Sequence, residues 1–334
     1  MDESLLSGAR GGDAQAFSEL TEPHRKELHV HCYRLLGSVG DAEDLVQETL
    51  LAAWRNIDGF EGRSSVRTWL YRIATNRCLN ALREREHRPR VVSAPSAEHL
   101  PEPSRRDEVV WLEPYPDSAI EFDAPVPGPE AQFESREAVS LAFVAAVQTM
   151  PPRQRAILVL RDVLGYRGAE VADLLDTTED AVASGLKRAR TALACRESVE
   201  APALPNSPAE RRVLAAFVTA FEGGDVPAMI GLLTDGAWLS MPPLPNEYQG
   251  RDAIGNFFAG IVFVPGAPAV RLVPTRANGQ PAFARYVCDP RTGMPRARGV
   301  TVLTLAGDRI NRITAFLGAE QFARFGLPLT LPPA

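Results

Sequence analysis

The sequence predicts a multidomain chain: two all-α domains followed by an α+β cone. Three observations carry this. Apolar residues recur at three-and-four spacing through residues 1–92 and again through 131–198, the period of helices with one buried face. Between these stretches, residues 93–130 are rich in proline and acids with few periodic apolar positions, which marks a linker. After a second linker at 199–207, residues 208–334 give three amphipathic helical stretches. Four alternating runs follow, split by Asn278-Gly279, Pro290 to Gly293 and Gly307-Asp308. Those punctuators are hairpin signals, so the runs should pair as a curved antiparallel sheet.

A chain of 334 residues with 45% hydrophobic content can bury two or three cores. Its net charge is -6, so any contact with nucleic acid must come from a local patch. Such a patch exists. Phe60 to Arg90 holds eight arginines against three acids, a net +5, while Glu98 to Glu137 holds eleven acids against three arginines, a net -8. Cys32, Cys78, Cys195 and Cys288 form no C-x-x-C pair and have no histidine cluster beside them. Buried thiols are expected, with no disulfide, metal or cofactor. The polar, acidic start MDESLLSGARGGDAQAF is no signal peptide. No apolar run approaches the roughly 18 residues of a membrane span, so a cytoplasmic protein is expected.

Residues 1–40 should be helical, with Leu5, Leu6, Phe17, Leu20, Leu28, Val30 and Tyr33 in the core. Asp13 is placed to cap the run after it and Asp41 the next helix. In DAEDLVQETLLAAW, Ala42, Leu45, Val46, Thr49, Leu50 and Ala53 form the buried face. Asp44, Gln47, Glu48, Leu51 and Arg55 form the outer one. In VRTWLYRIATNRCLNALR the buried stripe is expected at Val66, Trp69, Leu70, Ile73, Ala74 and Ala81. The other face carries Thr68, Tyr71, Arg72, Thr75, Asn76, Asn80 and Arg83. That mixture of guanidinium, amide, hydroxyl and ring suits phosphates and bases. The plain alternative is a helical hairpin with two solvated outer faces.

Inside the acidic linker lies VVWLEPYPDSAIE. Trp111, Leu112 and Tyr115 are costly to leave in water, while Pro114 and Pro116 hold the segment extended. It reads as a docking peptide, against the alternative of a solvated spacer. Beyond it a helix is expected from Phe133 to Gln148 and another after Pro151-Pro152. A helix-turn-helix follows: Ala169 to Leu175, the turn Asp176-Thr177-Thr178, and a second helix that Thr178 caps. Val182, Leu186, Ala189 and Leu193 should face inward. Ser184, Lys187, Arg188, Arg190 and Thr191 should face out, the position of a helix that enters a major groove.

In the last domain, Leu214, Phe217, Val218 and Phe221 share one helix face. Trp238, Met241, Tyr248, Phe257, Phe258 and Tyr286 would line a pocket for a small apolar ligand, or fill a core. The domain has no histidine, leaving Asp235 and Asp252 as the candidate interior carboxylates for general-base chemistry. Asp235 lies in a T-D-G turn and Asp252 in a helix cap, which argues against catalysis.

The joined motifs DAEDLVQETLLAAW and FEGRSSVRTWLYRIATNRCLNALR closely resemble region two of the extracytoplasmic-function sigma factors, in the sigma-70 family of bacterial transcription. MPPRQRAILVLRDVLGY with its helix-turn-helix resembles region four. WLEPYPD resembles the linker signature of SigG-type members, which carry an extra C-terminal domain. LTLAGDRINRITAFL resembles the SnoaL-like domains. The resemblance implies a subunit that binds core RNA polymerase at the beta-prime clamp and the beta flap and directs it to promoters. Asp44, Gln47, Glu48 and Leu51 would meet the clamp. Gly62, Ser64, Ser65, Arg67, Trp69, Arg72, Asn76, Asn80 and Arg83 would hold the melted minus-ten element. Thr178, Ser184, Lys187, Arg188 and Arg190 would contact the minus-thirty-five duplex. The family often has basic residues where Ala183 and Gly185 stand, so direct base contacts are fewer here. The resemblance also implies regulation in cis by the C-terminal domain and no enzymatic activity. The rival is a SnoaL-like isomerase or hydrolase tethered to a DNA-binding module.

Overall fold

A computed structural model of the chain describes residues 3–87, 100–106, 111–120, 138–194 and 204–332. The chain divides into two compact units, Met1–Arg90 with Ala119–Arg196, and Val91–Ser118 with Glu197–Ala334. The start of the expected Phe133–Gln148 helix, the end of the basic stretch at Arg88–Arg90, and Cys195 lie outside the described residues.

The first unit is all helical. Helix α1 spans Glu3–Arg10, α2 Ala14–Leu36, α3 Val39–Arg55 and α4 Val66–His87. Asp13 caps α2 as expected, accepting from the backbone N–H groups of Gln15 and Ala16. Gly37 ends α2 at φ 72, a left-handed turn that costs glycine little. Ser38, rather than Asp41, caps α3. Asp41 lies one turn further in, where its carboxylate binds Arg85 of α4. The α3 core face is as expected at Ala42, Leu45, Val46, Thr49 and Ala53, with Leu50 half-buried.

The stripe on α4 is rotated from the one expected. Val66, Leu70, Tyr71, Ala74, Thr75, Cys78, Leu79 and Leu82 are buried, whereas Trp69, Ile73 and Ala81 are half-buried. Tyr71 and Thr75 turn inward because α2 supplies partners for their hydroxyls. Tyr71 donates to Glu27 at 3.3 Å, and Thr75 Oγ1 lies 2.9 Å from His31 Nε2. A buried hydroxyl with a partner loses little on leaving water.

Helix α5 (Leu141–Gln148) is capped by Ser140, and α6 (Pro152–Leu158) begins with proline at its first turn. A wider turn at Val159–Val163 extends α6. Helices α7 (Gly168–Leu174) and α8 (Glu179–Ala194) make the helix-turn-helix. Asp176 takes φ 46 in the turn, and Thr178 Oγ1 accepts from Ala181 N–H at 3.2 Å. Val182, Leu186 and Ala189 are buried as expected, with Leu193 half-buried.

In the second unit, α9 (Pro208–Glu222), α10 (Val226–Gly231) and α11 (Arg251–Phe257) pack on a seven-stranded sheet. Its strands are β1 (Arg105–Arg106), β2 (Leu233–Ser240), β3 (Asn246–Gln249), β4 (Val270–Ala277), β5 (Gln280–Cys288), β6 (Pro295–Ala306) and β7 (Arg309–Leu317). Their order is β1-β3-β2-β7-β6-β5-β4. The sheet is mixed rather than wholly antiparallel, since β2 runs parallel to β7. Strand β3, helix α11 and strands β4 to β6 lie between β2 and β7 in sequence, a connection long enough for that crossover. Phe217, Phe221, Phe257, Phe258 and Phe283 dominate the core between helices and sheet.

Candidate functional site

The outer face of α3 is fully presented. Asp44, Gln47, Glu48 and Leu51 are all exposed, and Leu51 is 53% exposed. An exposed leucine among acceptors is the composition of a contact surface with an apolar centre. Glu48 is not free of the fold, because Arg77 of α4 pairs with it at 2.6 Å.

The loop into α4 divides its serines between two jobs. Ser65 Oγ caps the helix by accepting from Thr68 N–H at 3.1 Å, whereas Ser64 is exposed. Gly62 sits at φ 72 with open space where a Cβ would be. Trp69 is half-buried with its ring 5.0 Å from Phe60. On the solvent side of α4, Arg72, Asn80 and Arg83 are exposed and Asn76 is half-buried. Arg67 is tied inward, bonded through Nε to both oxygens of Glu27 and lying 4.8 Å over the Tyr71 ring. Arg72 reaches Asp176 in the turn of the helix-turn-helix, at 2.8 Å. Tyr71 meets Tyr166 edge to face at 6.0 Å.

On α8, Ser184, Lys187, Arg188 and Thr191 face solvent. Arg190 is also exposed, but it makes a two-pronged pair with Asp162, at 2.8 and 2.7 Å. Gly185 is buried, and a Cβ there would stand 2.6 Å from Ile157 Cδ1. That position therefore packs α8 on α6 and never faced a groove. Ala183 is exposed.

Two parts of the linker lie on the C-terminal domain, both within the second unit. Leu100 packs against the core, Pro101 O accepts from Tyr248 OH at 3.1 Å, and β1 pairs with β3. Downstream, Leu112, Pro114, Tyr115 and Pro116 are buried and Trp111 half-buried. Tyr115 N–H donates to Asn278 Oδ1, and Asn278 N–H donates back to Tyr115 O, both at 2.8 Å. Asp117 Oδ1 accepts from Gly279 N–H at 2.7 Å. The Asn278-Gly279 hairpin turn thus receives the chain. Asn278 was legible as a turn residue only, and nothing in the sequence announced its second role.

The cone interior offers no base from the expected positions. The Asp235 side chain is 92% exposed and pairs with Arg251 at 3.0 Å. It lies within β2 rather than in a turn, and Asp252 is exposed in the first turn of α11. Glu210 is buried, yet Arg276 holds its carboxylate at 2.8 Å. Met241, Tyr248, Phe257 and Phe258 belong to the packed core. Trp238 is half-buried between Arg105 and Arg312, each 5.5 Å from its ring. Tyr286 points elsewhere, edge-on to Phe322 with its hydroxyl donating to Pro328 O.

Residues 20–88 match Sigma-70 region 2, residues 140–193 match Sigma-70 region 4, and residues 214–313 match the SnoaL-like domain. The ECF RNA polymerase sigma factor SigG of Mycobacterium tuberculosis is 46% identical over 326 residues, covering 96% of this chain and 86% of that protein. SigM of the same organism is 30% identical over 193 residues, covering 58% of this chain and 83% of its own length. The crystal structure of Mycobacterium tuberculosis SigJ shares the fold, with a TM-score of 0.58 at 24% identity over 92% of this chain and 98% of that one. With paired sigma regions and a relative of this identity along nearly its whole length, the chain belongs to the ECF RNA polymerase sigma factors, here with a SnoaL-like domain after region 4.

Proposed function

We propose that this sigma factor uses separate faces for its partners and that the C-terminal domain regulates it through the linker. As a sigma factor it binds core RNA polymerase and promoter DNA, directs initiation, and leaves chemistry to the polymerase. The α3 face of Asp44, Gln47, Glu48 and Leu51 meets the beta-prime clamp. Ser64, Arg72, Asn76, Asn80 and Arg83 take the minus-ten strand, whose extruded bases are held by stacking and edge contacts. On α8, Ser184, Lys187 and Arg188 take the minus-thirty-five duplex, with region 4 resting on the beta flap. The protein works in the cytoplasm, where the polymerase is.

The observation that carries the regulatory part is the reciprocal pair of bonds between Tyr115 and Asn278. A linker fastened to a folded domain has less reach than a free one, so docking sets how far regions 2 and 4 can separate. Single-round run-off transcription with core polymerase tests this. Tyr115→Ala and Asn278→Ala should each change initiation severalfold while leaving core affinity unchanged. Equal run-off from both variants and the parent would refute the reading.

A further inference from the structure

Arg285 is a half-buried cation to which the described residues bring no acceptor. It lies on β5 two residues after Phe283 and opposite Leu272 of β4. Residues two apart on a strand, and residues directly opposite across a ladder, share a face. Phe283 and Leu272 both belong to the core between sheet and helices, so Arg285 emerges on that face. Gly299 of β6 stands opposite Arg285, and Leu317 of β7 opposite Gly299. One row across four strands therefore reads Leu272, Arg285, Gly299, Leu317. Gly299 leaves the place beside the guanidinium without a side chain. It is held as glycine because a Cβ would stand 2.2 Å from Phe316 O. Leu317 is 37% exposed, so the row ends at a rim that reaches solvent.

Arg298 is the residue passed over where the β5–β6 register shifts, next to Gly299. Burial and then the repulsion from Arg298 pull the Arg285 pKa down. Elsewhere in this domain, Arg276, Arg312 and Arg324 each pair with a carboxylate. Among the described residues none pairs with Arg285. A guanidinium half-withdrawn from water and set beside another cation is unfavourable until an anion joins it. Its planar fork matches a carboxylate or phosphate.

We propose that Arg285, with Arg298 as its outer neighbour, binds the head group of an amphipathic organic anion, a carboxylate or phosphate monoester whose apolar body lies along Leu272 and Leu317. This goes beyond the regulatory reading and does not rest on it, since binding is measured directly whatever the effect on transcription.

Calorimetric titration of the full chain with octanoate, octyl phosphate, octanol and inorganic phosphate tests the proposal. Octanoate or octyl phosphate should bind saturably, and whichever binds tighter identifies the head group. Arg285→Met should weaken that binding roughly tenfold or more, the scale of a lost charge-assisted hydrogen bond. Arg298→Gln should weaken it severalfold, and octanol should not bind. Four results would each overturn the proposal: no saturable binding of either octyl anion, equal binding by Arg285→Met, octanol binding as tightly, or inorganic phosphate binding as tightly. Circular dichroism checks that Arg285→Met folds. Should it not fold, the exposed Arg298 decides, because unchanged affinity in Arg298→Gln also overturns the proposal.

Discussion

His31 sits inside the helical unit with no exposed surface. Its Nε2 is bonded to Thr75, its Nδ1 has no partner among the described residues, and the Tyr71 ring lies edge-on at 4.9 Å. Burial, then the charges of Arg34 and Arg67, push its pKa from 6.5 down to about 3. Below pH 6.5 the unfolded chain takes up a proton that the folded chain refuses. Stability is therefore lost as pH falls from 6.5 towards 3, by up to about 1.4 kcal/mol per pH unit. Denaturant unfolding across that window should show a shallower slope for His31→Gln; an unchanged slope would mean the imidazole is not held neutral. Gly185 gives a second residue-scale expectation. Gly185→Ala forces a methyl against Ile157. After the gain in helix propensity, it should still cost on the order of 1 kcal/mol. Ile157→Val removes the clashing Cδ1 and should restore part of that loss in the double variant. The sequence alone suggested a missing base contact at Gly185, because residue type says nothing of which way a position faces.

At the scale of elements, the C-terminal end of α2 joins the two sigma regions. Arg155 of α6 is buried and donates to Leu35 O, to Gln148 Oε1 at 2.7 Å and to Gln148 O at 2.8 Å. Gln148 in turn donates to the carbonyls of Arg34 and Leu35. These bonds answer carbonyls that a helix end otherwise leaves to water. Arg155→Met should cost on the order of 3 kcal/mol, since it strands several buried acceptors, and calorimetry reads it as a lower melting temperature for the helical unit. Helix positions and the hairpin turns were legible because periodicity and Asn-Gly are local signals. The rotation of α4 was not. Tyr71 and Thr75 read as outward by type, and their inward turn depends on Glu27 and His31, more than forty residues away. The parallel β2–β7 pairing was likewise invisible, because strand direction is set by the crossover and not by the strand's own pattern.

For the whole molecule, charge is segregated along a net acidic chain, and on the proposed reading the two helices of region 2 divide the labour. Helix α3 presents acceptors around an exposed leucine, and α4 presents arginine and amide groups on its solvent side. If α3 meets a protein and α4 meets nucleic acid, the two faces should fail independently. The most direct test measures core-polymerase affinity and promoter opening side by side for Leu51→Asp and for Asn80→Ala. Leu51→Asp should weaken core binding by roughly tenfold or more, as loss of an apolar contact centre does. Asn80→Ala should bind core as the parent does and open promoters less well. If Asn80→Ala lost core binding, or Leu51→Asp kept it and lost only opening, the division of labour between α3 and α4 would be contradicted.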